Sequence, residues 1–177
     1  SDGNSGVKMY PFNFWLGAKY DLPYIIADEH AKLDAGISSS SAMSVVFYQP
    51  NPDTETYPAL NLDSFYRGSE HTATFRSSWT NSDALYVAVK AGDNQSSHGH
   101  LDIGSFVLDA LGERFVSDLG SDAYDLNRYF HWDTRIYYYR CNSFSHNVVT
   151  IDNANQDLYA TASLSDFVTS TDGGSVK

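Results

Sequence analysis

The chain has 177 residues, enough for one good hydrophobic core and a small appendage. Its 22 acidic and 11 basic residues give a formal net charge of −11, which argues against nucleic acid and anionic membrane surfaces, since both recruit basic patches. No apolar run approaches the ~18–20 residues of a membrane span, and the single cysteine, Cys141, excludes an internal disulfide.

In chain order, Ser1-Asp2-Gly3-Asn4-Ser5-Gly6 reads as a linker and not as a signal peptide. Apolar residues at Leu22, Ile25, Ile26 and Leu33, with polar ones between, predict a short amphipathic helix whose first turn holds Pro23. Gly36 and the Ser38–Ser41 run end it. Pro50, Pro52 and Pro58 make residues 50–62 a loop. From Thr72 the period changes to two. Thr74–Trp79 and Leu85–Lys90 read as strands around an Asn81-Ser82-Asp83 turn. Gly104–Ala110 and Arg114–Asp118 flank Leu111-Gly112-Glu113, a hairpin signature. Further strands are expected at Ile136–Arg140, His146–Ile151 and Ala160–Thr169. The expected class is mainly β: an antiparallel β-sandwich over 51–177, preceded over 1–50 by a linker and a short helical segment. The polar tail from Ser170 offers no closing element, so the sandwich is expected to be incomplete at its C-terminus.

Chemistry concentrates in the histidines. His98-Gly99-His100 places two imidazoles two positions apart, and in an extended segment they share one face of the strand. Asp118 closes the hairpin that follows, and His146 begins a later strand. Two imidazoles and a carboxylate form a reasonable shell for zinc with one position open. A histidine pair in a loop is nonetheless more often surface or satisfied core than ligand, and Asp118 alone equally suits a turn. His30, His71 and His131 carry no partner pattern and read as exposed. The aromatic content of 15%, with thirteen tyrosines, suits sheet surfaces and carbohydrate-facing clefts. Arg128, Arg135 and Arg140 imply an arginine-rich face on an acidic body.

Ser97-His98-Gly99-His100-Leu101-Asp102-Ile103-Gly104-Ser105-Phe106 resembles the signature block of heparinase II/III-like polysaccharide lyases. It continues through Leu111–Gly120, Tyr137-Tyr138-Tyr139-Arg140 and Ser145-His146-Asn147-Val148-Val149, with Arg76-Ser77-Ser78-Trp79 upstream. The resemblance implies an α/α-toroid ahead of a β-sandwich, with the cleft between them. It implies a structural zinc on His100, Asp118 and His146, and it turns His98 toward the cleft. The toroid's own catalytic groups have no room here, so residues 7–35 are at most its last helix and connection, and the isolated chain is expected to be inactive. A bacterial periplasmic or secreted setting follows from the resemblance alone.

The reaction so implied is β-elimination on a uronic-acid glycan: a base removes the proton α to the carboxylate and an acid protonates the leaving oxygen. His98 suits the base or the neutralising group. Tyr124 and then Tyr139 are candidate acids, although aromatic packing explains both equally simply. Arg135 and Arg140 suit carboxylate or sulfate clamps, or ion pairs on a solvated face. Asn147 suits substrate binding or orientation of His146, or is a polar strand end. The alternative is a non-catalytic, metal-stabilised β-sandwich holding acidic glycan through Arg128, Arg135 and Arg140. A cupin-like metal enzyme fits less well, because Asp102 is too close to the histidine pair and Asp118 too far for that pattern. The choice among heparin, heparan sulfate, alginate and chondroitin is not encoded in these motifs.

Overall fold

The computed structural model describes residues 7–37, 41–52, 60–171 and 173–177. The linker at 1–6, the serines at 38–40 and most of the 50–62 loop lie outside them. The chain divides into two compact units at Leu60/Asn61.

The N-terminal unit holds three helices, α1 (Phe12–Lys19), α2 (Pro23–Asp34) and α3 (Met43–Phe47). The helix predicted around Pro23 is α2, with the proline in its first turn, where its fixed φ and missing N–H cost nothing. The sequence reading did not foresee α1, because its aromatic text FNFWLGAK shows no polar face to mark a period. Phe14, Met9 and Ile26 form the core, joined by Leu33, Ile37 and Phe47. The helices α1 and α2 approach closely at Gly17, where a Cβ would stand 2.5 Å from Ile26 Cγ1. Glu29 is fully buried, yet it accepts from Tyr10 N, Asn13 Nδ2 and Lys32 Nζ, which satisfies the carboxylate. His30 is buried rather than exposed as expected, with a ring nitrogen 2.8 Å from Gln49 O.

The second unit is built on a six-stranded antiparallel sheet. Its strands are β1 (Ser64–Tyr66), β2 (Glu70–Arg76), β3 (Tyr86–Asp93), β4 (Phe106–Ala110), β5 (Glu113–Val116) and β6 (Thr161–Ala162). The first five lie in sequence order, and β6 pairs with the far end of β3. The Leu111-Gly112 hairpin forms as predicted, with φ of 54° and 77° at its two central residues. A separate two-stranded ribbon is formed by β7 (Val168–Ser170) and β8 (Gly173–Ser175). Phe167 stacks on Phe65 and Phe75 at 5.3 and 5.5 Å, over a core of Ala73, Ala91 and Leu164. The expected mainly antiparallel class, with a few short helices, is what the chain adopts.

Three expected strands do not form as read, and a fourth ends earlier. At Ser77 the side chain intrudes on the ladder: its Oγ accepts from Leu85 N while Ser77 N donates to Leu85 O, so β2 stops at Arg76. Ile136–Arg140 is not a strand but the passage from a helical turn, α4 (Trp132–Arg135), into a 3₁₀ turn at Tyr139–Cys141. There the backbone N–H groups bond three or four residues back, Arg135 to His131 and Cys141 to Tyr138. This chain of turns wraps buried Tyr129, Arg135 and Cys141, and burial overrides the β-propensity of the three tyrosines. His146–Ile151 is irregular, tied to the sheet by the Asn147 side chain instead of by backbone pairing. In Ala160–Thr169 only the ends are extended, and Asp166 at φ 49° breaks the run.

The irregular region is held by side chains that imitate backbone. Gln156 Oε1 accepts from Ile103 N and its Nε2 donates to Ile103 O, closing a two-bond pair. Its own N–H donates to Ser143 Oγ, and that hydroxyl donates to Leu101 O.

Candidate metal and catalytic site

Beyond β3 the chain turns back on itself, with Ser96 N donating to Asp93 O and Gly99 N to Ser96 O. His98 takes φ 60° inside this turn. The two histidines of the H-G-H stretch therefore do not share a strand face, contrary to the extended reading. His98 is exposed, whereas His100 is only 1% exposed. Gly99 between them has no room for a side chain, since a Cβ would meet Asn94 O and Ser96 O, each at 2.8 Å.

The buried branch gathers His100, Asp102 and His146, with one ligand atom from each inside a 4.8 Å group. His100 Nδ1 stands 3.2 Å from His146 Nε2. Leu101 N donates to Cys141 O, locking this segment against the 3₁₀ turns that carry His146. His146 follows the Ser143–Ser145 3₁₀ turn and does not open a strand. Lys90 Nζ lies 2.7 Å from Asp102 Oδ1. Burial works against the Asp102 carboxylate, but its cationic surroundings, Lys90 included, hold the carboxyl below its usual range.

Asp118 sits differently from the expectation of a direct ligand. Its Oδ2 is 2.6 Å from His146 Nδ1, on the side of the ring away from His100, and its Oδ1 accepts from Gly120 N at 2.8 Å. Burial would raise this carboxyl, yet the His146 and Gly120 hydrogen bonds keep it well below the carboxylate range. A carboxylate on Nδ1–H leaves the Nε2 lone pair free to face an ion. Asp102 is the acid within the cluster, a residue the sequence reading weighed only in the cupin-like pattern. Two imidazoles and a carboxylate, buried and convergent, are a donor set that fits a divalent ion of the zinc kind.

The exposed branch is aromatic. Tyr124 Oη lies 3.4 Å from His98 Nδ1, with the two rings stacked at 6.1 Å. Phe130 meets His98 edge-on at 6.0 Å and Tyr124 at 5.0 Å. Beneath them Tyr129, 1% exposed, contacts the Tyr124 ring at 5.4 Å. His98 opens on a pocket of about 230 Å³ lined also by Gln95, Ser97, Phe130, Trp132 and Arg135. The sequence reading did not single out Gln95, Ser97, Phe130 or Trp132, because their pocket exists only once the turn after β3 and the α4 segment come together.

The remaining candidates are placed otherwise. Arg135 is 2% exposed, and its Nε donates to Gly99 O while Nη1 donates to Tyr129 O. Arg140 Nη1 donates to Leu119 O and Ser121 O, and Arg128 pairs with Asp133. Asn147 Nδ2 donates to Phe106 O and Ser117 O. Arg135 is thus turned inward, whereas Arg128, Arg140 and Asn147 make their bonds at the surface. Tyr139 is 62% exposed and makes no ring contact with the His98 group among the described residues. Among those residues no helix is long and apolar enough to cross a membrane.

A family model described as Heparinase II/III-like, C-terminal, matches residues 72–170, over half of the chain and every residue of the site above. No curated protein matches the sequence.

Proposed function

The chain belongs to the heparinase II/III-like C-terminal family, and from that premise we propose that it is the cleft-forming β-domain of a polysaccharide lyase acting on uronic-acid glycans. The observation that carries this reading is the pairing of exposed His98 with the Tyr124 hydroxyl, 3.4 Å apart at the mouth of a pocket. Proton abstraction α to a carboxylate needs a base that reaches the substrate, and departure of the glycosidic oxygen needs an acid beside it. His98 takes the proton, and Tyr124 returns one to the leaving oxygen. Phe130 and Trp132 offer apolar faces against which a pyranose ring can lie. The other wall of the cleft, in this proposal, is an α/α-toroid that also supplies carboxylate neutralisation. An extracellular or periplasmic setting accompanies that substrate class.

Zinc is the ion we assign to the buried branch, held by His100, His146 and Asp102, with Asp118 fixing the His146 ring. When bound it supplies fixed positive charge that orders the turn after β3. His98 stays outside the cluster, exposed at the pocket. The glycan-binding alternative rested on an arginine face, and Arg128, Arg135 and Arg140 are each engaged within the protein.

The test is formation of ultraviolet-absorbing unsaturated product from uronate polymers by a chain carrying toroid and β-domain together. His98→Ala is expected to abolish it while zinc content stays unchanged. Full product formation by His98→Ala would overturn the assignment.

A further inference from the structure

Arg135, a candidate substrate clamp in the sequence, lines the His98 pocket but is 2% exposed, with its donors turned to backbone carbonyls. Its guanidinium sits at the junction of the two branches: Nε donates to Gly99 O at 3.1 Å, the carbonyl between His98 and His100. Nη1 reaches Tyr129 O at 3.4 Å, and the guanidinium carbon lies 4.4 Å from the Tyr129 ring centroid. One planar cation thus holds the H-G-H turn on one side and the ring supporting Tyr124 on the other.

The turn needs such a brace. His98 at φ 60° occupies the left-handed region, which costs an L-residue about 1–2 kcal/mol and persists only where surroundings over-determine it. Gly99, closed in by Asn94 O and Ser96 O, has no space for a side chain in this turn. Tyr129 extends the connection further: its hydroxyl accepts from Asp122 N at 3.2 Å, on the segment that follows Asp118. Lysine cannot reproduce this role, because its ammonium is a compact charge with rotatable donors and lacks the rigid planar fork and stacking face of a guanidinium.

We propose that Arg135 is a positioning residue that sets His98 and Tyr124 in register with each other, through Gly99 O and the Tyr129 ring, independently of metal retention. The catalytic meaning of that register rests on the lyase reading; the geometric claim does not. The primary measurement is the ring-to-ring nuclear Overhauser pattern among His98, Tyr124 and Phe130 in this chain, with zinc content measured alongside. Arg135→Lys and Arg135→Met are expected to lose the His98–Tyr124 and His98–Phe130 contacts while zinc per chain stays within about twofold of wild type. Retention of those contacts in either variant overturns the proposal, as does zinc loss in step with them. Should Arg135→Met fail to fold, wild type still decides: nuclear Overhauser contacts from Arg135 Hε to Gly99 and from the guanidinium to the Tyr129 ring are expected, and their absence overturns the link. In a chain with the toroid, Arg135→Lys is expected to lower kcat about tenfold with KM within about twofold; an unchanged kcat overturns the role. A wild type without lytic activity would sink the lyase reading, and the ring contacts would still decide this one.

Discussion

Replacing the two acids of the buried branch one at a time separates a metal ligand from the group that aims one. In Asp118→Asn the partner of His146 Nδ1, now 2.6 Å away, becomes neutral while the acceptor oxygen stays. A hydrogen bond to a charged group contributes about 1.5–3 kcal/mol. At about 1.4 kcal/mol per decade this converts to roughly a 10–100-fold loss of zinc affinity. Asp102→Asn instead removes a donor from the cluster itself. It also leaves Lys90, 2.7 Å away, with one acid fewer. That variant is expected to lose zinc more completely, by well over 100-fold. The assay is competition for zinc against a chromophoric chelator, with wild type and His100→Ala as the two reference points. Stoichiometric zinc in Asp102→Asn together with none in Asp118→Asn would refute the assignment and make Asp118 the direct ligand, as the resemblance implied.

Two further outcomes follow from the same coordinates. Asp102 and Asp118 both hold their carboxyls below the ordinary range, so their stabilisation is in force above the unfolded value near ~3.9 and lost as pH falls through the folded values. Denaturation midpoints of the chelator-treated protein should fall between about pH 5 and pH 2, less steeply in Asp118→Asn; equal slopes would contradict the cause given. Leu111 occupies the first left-handed position of its hairpin at φ 54° and is 74% exposed, so Leu111→Asn should stabilise by about 0.5–1 kcal/mol in a thermal melt. A lower melting temperature would show that its side chain has an unrecognised contact.

What the sequence made legible was what short-range patterns encode. Alternation located β3, β4 and β5, and Pro23 marked the start of α2. The tyrosines at 137–139 misled, since their strand propensity was outweighed by a turn wrapped around a buried guanidinium, a contact spanning 36 residues from Arg135 to Gly99. His100 and His146 do converge in space, but through turns and not across a shared strand face. A turn with φ 60° at His98 cannot be told from a strand by spacing, and it decides which imidazole faces the pocket. Asp118 and Asp102 illustrate the same limit: which acid would bond the His146 ring and which would join the cluster depended on how the turns from 136 to 146 close. The local run of Arg128, Arg135 and Arg140 read as one face, yet Arg135 turns inward to Gly99 O while Arg140 reaches the carbonyls of Leu119 and Ser121, a difference no spacing rule encodes.

The Gln156–Ile103 pair carries a consequence for how this domain ages. A neighbouring strand would offer Ile103 its peptide groups whatever side chains it bore, whereas here one amide side chain supplies both donor and acceptor. Hydrolysis of that amide to a carboxylate would turn the donor facing Ile103 O into a second acceptor. The segment beneath the His100 branch would then be opened by a chemical change of one atom, with no substitution in the gene.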